Sequence, residues 1–493
     1  MEAIPLRLVA AAALLAAFVA GLASRWRRRA KYDLHRIPGP SAYPIVGNLP
    51  QMFSWKAPRP HLKVLEWMKE YGNIVKVSLP GVGGYHLFVG DPEYLQNNVT
   101  GYGGNGMPKS PFYKELHKIL SPVPGSSIFT SPEQDDHWKS VRKGVAKAFS
   151  TAALKDAFPR LVKKADELVR LIRTHPSAEP IEVERLMLRY MFDALGVVGY
   201  DIDFKSLKDD RHPGLQALEY CSTDVMASAT NPFRRLVKWA FPTCKLARDC
   251  RRMYAQIYAH YDRMLAELKA RGTPAADDMS IGACLMRLKN PETGAPLDEA
   301  RLLQEIATFV VGGTDTTTHQ IVWVLLAIAA HPDVQQGVVD ELKASGVFAR
   351  IRKGGVGRLS YSDVMGLSYL GMAVKEAMRM FPAVVANVIR SVPSDSVRVC
   401  GYRVPKNTVI NICPYALNRV PWLWDDPEVY DPERWRKAAT VEESRDGTAP
   451  GKGAATGGGW AFSDGPRSCI AQRMALMQMH LAAAFLVANF NIR

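Results

Sequence analysis

Cysteine is scarce in this chain, with seven among 493 residues, and no two of them form a C-x-x-C pair. Cys221, Cys244, Cys250, Cys284, Cys400, Cys413 and Cys469 are also odd in number. This argues against a disulfide framework or a structural zinc site, and for a reducing compartment. No nucleic-acid-binding motif is present, so the basic surplus needs another explanation. Acidic residues are the minority charge, 48 against 63 lysines and arginines, which leaves a net charge of +15. Such a balance points to acidic partners or a membrane surface. The bulk composition is ordinary: 47% apolar and 23% charged residues are enough for one large domain or two of medium size.

An apolar run opens the chain. Leu8 to Ala23 is unbroken, and the wider window Ala3 to Ser24 is interrupted only by Pro5 and Arg7. Its length approaches the roughly 20 residues that span a bilayer as a helix. Arg25, Arg27, Arg28, Arg29 and Lys31 follow, and by the positive-inside rule they keep the rest of the chain cytosolic. We read residues 1–24 as a single transmembrane anchor. The alternatives are a cleaved signal peptide or an organelle transit peptide rich in alanine and arginine. Residues 25–40 make a basic, Pro-rich linker ending in Ile37-Pro-Gly-Pro40, which can be neither helix nor central strand. Residues 41–493 are the folded body.

Within that body, Ile74–Ser78 and Tyr85–Val89 read as short strands, and Asp91-Pro-Glu as a helix start. Val397–Val399, Tyr402–Val404 and Thr408–Ile412 read as further strands. Residues 100–131 are rich in Gly, Ser and Pro and read as a long loop. Residues 180–204 look helical up to a turn at Tyr200–Phe204. From Asn231 to Pro242, aromatic and aliphatic residues alternate with cations. That pattern suits a membrane interface as well as an ordinary surface helix.

Three stretches carry chemistry. The first is Phe462-Ser-Asp-Gly-Pro-Arg-Ser-Cys469-Ile-Ala471. A helical pattern starts directly after it, so Cys469 sits near a helix N-terminus, where N–H groups and the macrodipole favour a thiolate. The second is Gly312-Gly-Thr-Asp-Thr-Thr-Thr318, set in the middle of an apolar helix candidate from Glu299 to Ala330. Each Gly costs about 1 kcal/mol against Ala there, and Thr is a weak helix former. Local rules broken inside a strong element mark functional sites. Asp315 would be costly to bury without pairing or proton transfer. The third pairs Glu376 with Arg379 at i, i+3, followed by Asp431-Pro-Glu-Arg434-Trp.

These stretches, in this order, resemble the cytochrome P450 family from about Ile37 onward. Phe462, Gly465, Arg467, Cys469 and Ala471 fill the family's F-x-x-G-x-R-x-C-x-G/A loop. Gly312, Gly313, Asp315, Thr316 and Thr317 match its A/G-G-x-D/E-T-T/S pattern. Trp138 and Arg142, spaced i, i+4, stand where the family has W-x-x-x-R. The resemblance implies a mainly α fold with a smaller β region, preceded by one transmembrane helix, with residues 41–493 as a haem-thiolate domain. It implies haem b as cofactor with Cys469 as axial ligand. Trp138, Arg142, Arg390 and Arg467 would hold the propionates, and Phe462 and Gly465 would shape the loop. Asp315 and Thr316 would relay protons toward O2, while Glu376, Arg379 and Arg434 would form a buried cluster behind the haem.

The activity implied is monooxygenation of an apolar, lipid-like substrate. Electrons would come from NADPH through a cytochrome P450 reductase at the endoplasmic reticulum membrane, or through a ferredoxin in a plastid or mitochondrion. Two departures are minor: Trp435 stands where the family usually has Phe, and Asn418 where it often has His. Residues 436–461 read as a polar, Gly-rich insertion without chemistry. The chain stops at Arg493, ahead of the strand hairpin that the family places after its last helix. That is the support for one alternative, an inactive haem-binding membrane protein. Another is an isomerase or dehydratase that uses no O2, against which Asp315 and Thr316 speak. A cysteine hydrolase would have only His480 near Cys469.

Overall fold

The computed structural model describes residues 31–52, 59–80, 84–101, 106–121, 125–132, 135–176, 179–385, 388–436 and 460–493. The expected anchor, the start of the basic linker and nearly all of the polar insertion lie outside the described residues. Among those residues, no single helix is long and apolar enough to cross a membrane. The chain divides into two units, residues 1–110 with 386–416, and residues 111–385 with 417–493.

The first unit is built on a sheet. Strands β1 (Ile74–Leu79) and β2 (Gly84–Val89) pair antiparallel, with Ile74 opposite Val89. Chain order then gives β3 (Val388–Ser391), the short ribbon of β4 (Arg398–Val399) and β5 (Tyr402–Arg403), and β6 (Val409–Ile412). β6 lies parallel to β2 and antiparallel to β3, so the sheet order is β1-β2-β6-β3. Its β-branched residues are buried throughout, as a central strand requires. The five expected strands are all present: β1 and β2 run one residue longer than expected and β4, β5 and β6 one residue shorter, while β3 is not among them. Helix α1 (Pro60–Tyr71) packs on β1 through Val64, Leu65, Trp67 and Met68. The Pro-Gly segment lies against the same strand: the Lys76 N–H donates to the Pro38 carbonyl at 2.8 Å. A Cβ on Gly39 would come within 2.2 Å of the Lys76 carbonyl oxygen, so only glycine fits that approach.

The second unit is helical. The elements used below are α2 (Phe112–Leu120), α3 (Asp136–Val145), α4 (Thr151–Thr174), α5 (Val183–Leu195), α6 (Pro213–Thr230), α7 (Pro232–Ala240), α8 (Lys245–Ala270), α9 (Glu299–Ala330), α10 (Ser368–Met380) and α11 (Gln472–Asn489). Helix α2 corrects the loop expected over 100–131. Its turns are short, but Tyr113 and His117, one turn apart, both point inward, and that shared face outweighs the flanking Gly and Pro. At the centre, α9 starts on the Asp298 side chain, which accepts from the Arg301 N–H at 2.8 Å. It ends at His331, whose backbone leaves the helical region ahead of Pro332. Ile306, Val310, Ile321, Val324 and Ile328 on α9 are fully buried, and the helix packs on α5, α10 and α11. Helix α11 is apolar all round, with Met477, Leu481 and Ala482 to Phe485 fully buried, as expected of a core helix. A helical unit with a separate small sheet is the mainly α fold that the sequence implies.

Candidate functional site

The Cys469 loop is shaped by its own backbone. The Asp464 carboxylate accepts from the Gly465 N–H at 2.7 Å, and Gly465 takes a positive φ of 72°. The Ser468 N–H then donates to the Gly465 carbonyl, and the Cys469 N–H to the Phe462 carbonyl, each at 2.9 Å. These bonds set Cys469 just ahead of α11. Across from it, the Asp135 carboxylate caps α3 by accepting from the Trp138 N–H at 2.6 Å. Trp138 is buried. The Arg467 guanidinium stacks 4.0 Å from the centre of its ring, and that of Arg142 lies 5.8 Å away. Arg142 also donates from Nη1 to the Ser468 carbonyl at 2.8 Å. The structure thus gathers Trp138, Arg142, Phe462, Gly465, Arg467 and Cys469 at one place in the second unit.

Cys469 is the one exposed cysteine of the seven. Its thiol is nonetheless enclosed closely enough for burial to push its pKa up, against the Ala471 N–H and the Arg142 charge, which pull it down. Both hold when a side chain lines a hollow rather than the outer surface. A cavity of about 400 Å³ opens beside it, bordered by Arg142, Phe149, Gln472 and Arg473. The helix N-terminus that the sequence offers as a thiolate trap is therefore outweighed by desolvation in the protein alone. A coordinated cation reverses that balance, since a metal-bound thiol is deprotonated. Among the described residues, no three His, Cys, Asp or Glu converge as a metal cage. The donor set fits a group that carries its own metal and anionic arms: one thiol with open surface, and two guanidinium ions beside it. His480 is no partner for Cys469, because its Nδ1 bonds to the Leu476 carbonyl and its Nε2 faces Gly371.

A second group lies midway along α9, which packs against α11. Thr316 Oγ1 donates to the Gly312 carbonyl one turn back, at 2.7 Å. A Cβ on Gly312 would meet nothing within 4 Å, so this turn of a core helix borders open space. On Gly313 it would press on Leu195 at 3.1 and 3.2 Å, so that glycine serves packing against α5. Burial pushes the Asp315 carboxyl up, and Glu184 adds to this, while the His319 charge and the Ser222 hydroxyl pull it down. His319 Nδ1 lies 2.7 Å from the Asp315 carbonyl oxygen, and its Nε2 lies 3.2 Å from Glu184 Oε1. Neither residue was singled out by sequence reasoning. An Asp-x-x-x-His spacing was there to be read, but Glu184 is 135 residues away on α5.

The third group centres on Glu376 of α10. Its Oε1 accepts from Arg379 Nη2 at 2.9 Å, Arg434 Nε at 2.8 Å and the Asp431 N–H at 3.1 Å. Its Oε2 accepts from Arg379 Nε at 2.9 Å and Trp435 Nε1 at 3.0 Å. Trp435, read in the sequence as a minor variation, thus brings a donor that a Phe lacks. Asn418, the other departure, donates from Nδ2 to the Arg379 carbonyl at 3.0 Å, and its own carbonyl accepts from Arg379 Nη1 at 2.7 Å. Arg390 belongs to the first unit, where it is buried on β3 opposite Ile410 of β6.

Comparison with known proteins bears on the same residues. The family model described as Cytochrome P450 matches residues 37–493. Cytochrome P450 3A14 of Cavia porcellus is 24% identical over 92% of this chain and 85% of its own length. Cytochrome P450 3A5 of Homo sapiens is 24% identical over 93% and 85%. Lithocholate 6-beta-hydroxylase of Mesocricetus auratus is 25% identical over 73% and 69%.

Proposed function

Because the chain belongs to the cytochrome P450 family and is thereby a haem-dependent monooxygenase, we propose that it oxidises an apolar, lipid-like substrate with electrons from NADPH delivered by a cytochrome P450 reductase. The observation that carries this reading is the Cys469 thiol, held by its loop at a hollow beside two guanidinium groups. Haem, when bound, supplies the activation of O2, and thiolate ligation favours cleavage of the O–O bond.

This chain's residues would do the rest. Cys469 would hold the haem iron through its thiolate, and Phe462 and Gly465 keep its loop in shape. Arg142 and Arg467, steadied on Trp138, would take the propionates, a role for which the family resemblance also offers Arg390. Asp315 and Thr316 hold and pass protons on the open side of α9. Glu376, Arg379 and Arg434 tie the segment around 418–435 to α10 without touching the reaction. A relative named for 6-beta-hydroxylation of lithocholate supports hydroxylation as the reaction type.

Residues 1–24 would anchor the chain in the endoplasmic reticulum membrane, with residues 25–40 as linker and the domain from 41 facing the cytosol. Helix α7 and the residue after it support a membrane-facing surface: Phe233, Leu236, Trp239 and the adjoining Phe241 are all more than half exposed. The excess of basic residues suits an acidic reductase.

The test is the reduced, carbon-monoxide difference spectrum of the expressed chain beside Cys469→Ala. A Soret band at the thiolate position, lost in the variant, is the expected result. A band at the non-thiolate position in the parent chain, or no haem at all, would overturn the assignment of Cys469.

A further inference from the structure

We propose that His319 and Glu184 form the proton-entry station of this site, passing protons from solvent to Asp315; this rests on the monooxygenase reading above. The hydrogen-bond partners carry the argument. The Asp315 carbonyl can only accept, so His319 Nδ1, 2.7 Å from it, bears a hydrogen. Nε2 faces Glu184 Oε1 at 3.2 Å. With Glu184 ionised, that bond requires a second ring hydrogen and hence an imidazolium. With a neutral ring, it requires Glu184 to carry the proton. In both arrangements the pair stores one proton more than a neutral ring and a carboxylate would.

Asp315 Oδ1 lies 3.9 Å from the same Nδ1. A swing of about 1 Å brings it into hydrogen-bond range. In the transfer, the Nδ1–H bond breaks and an O–H bond forms on Asp315. The ring is left neutral with its hydrogen on Nε2, still bonded to ionised Glu184. Nδ1 then faces the Asp315 carbonyl as one acceptor against another, and a proton from solvent restores the imidazolium. Exposure of the three side chains falls inward, 66% for Glu184, 40% for His319 and 36% for Asp315. The charges that act on Asp315 are those of His319 and Glu184. Burial raises the Asp315 carboxyl above that of an ordinary aspartate, so it accepts the proton more readily than an exposed carboxylate would. An ion pair of purely structural use, this exposed, would contribute little to stability and nothing to turnover.

The experiment uses the haem-loaded full chain, His319→Gln and Glu184→Gln. Each is checked first by its carbon-monoxide difference spectrum. The infrared C=O band of protonated Asp315, assigned by its loss in Asp315→Asn, is then followed against pH. NADPH consumption with a surrogate reductase is recorded over the same range, in H2O and D2O. We expect all three proteins to keep the thiolate band. His319→Gln should raise the Asp315 midpoint, slow NADPH consumption about tenfold or more, remove the imidazole limb of its pH profile and enlarge the solvent isotope effect. Glu184→Gln should slow consumption less than His319→Gln does, and should lower the Asp315 midpoint, because the Glu184 charge raises it. Consumption within twofold of the parent in His319→Gln, or a loss equal at every pH, would overturn the proposal. A parent chain without the thiolate band would overturn the reading beneath it, and this proposal with it.

Discussion

Glu376 accepts five hydrogen bonds on its two oxygens, three of them charge-assisted from Arg379 and Arg434. Each donor is there because the others hold the carboxylate in place. Glu376→Ala leaves Arg379 fully buried without its counter-charge, at a cost of about 3–5 kcal/mol. The indole of Trp435 is the instructive member. Trp435→Phe keeps most of the ring but deletes one donor to a buried charge, and should lower unfolding free energy by about 1.5–3 kcal/mol. Denaturant titration of the haem-loaded protein measures both. A Trp435→Phe variant as stable as the parent would make the Nε1 bond dispensable. The thiolate band should survive in Trp435→Phe, since the indole serves the fold and not the iron.

At the scale of the element, α9 carries two adjacent glycines with opposite neighbourhoods. A methyl group on Gly312 projects into open space, whereas on Gly313 it presses on Leu195 of α5. Gly312→Ala should therefore stabilise the protein by about 0.5–1 kcal/mol through helix propensity. It should also disturb whatever binds along the open side, read as weaker binding of an azole ligand by its difference spectrum. Gly313→Ala should gain nothing or destabilise, because Leu195 must move. Equal effects of the two substitutions on stability would mean that the open space is not at Gly312. Propensity alone cannot separate these positions, because the difference lies in what each residue faces.

On the scale of the whole molecule, acid sensitivity has an identifiable source in the second unit. His260 of α8 lies among the rings of Phe192, Phe204 and His212. Burial, with help from His212 and Arg263, pushes its imidazole from 6.5 down to about 4. Between those values the unfolded chain binds the proton and the native protein does not, so stability falls as pH drops through this window. The full effect is about 3 kcal/mol. His260→Leu should flatten the stability profile between pH 6.5 and 4, measured by denaturant midpoints. A variant with the parent's slope would assign the acid sensitivity to other groups. Membrane association is a second property of the whole. A chain starting at Arg25 should sediment with membranes less than the full chain but not be lost from them, because α7 and the adjoining Phe241 keep four large apolar side chains exposed. Complete release would deny α7 that part.

The amino-acid sequence by itself determined the family, the mainly helical fold and every strand of the first unit except β3. Those features rest on local signals: a Cys behind a Gly-Pro turn, glycines and threonines inside an apolar helix, β-branched runs between turns. Helix α2 escaped because Gly and Pro around it hid a short inward face that counts only once there is a core to meet. Only the tertiary structure decided which donors complete Glu376, why Gly312 and Gly313 differ, and that His319 meets Glu184 from 135 residues away. Such contacts depend on helix packing, which brings together side chains that no spacing along the chain relates. A single sequence records which residues are able to pair, whereas burial and distance select the ones that do.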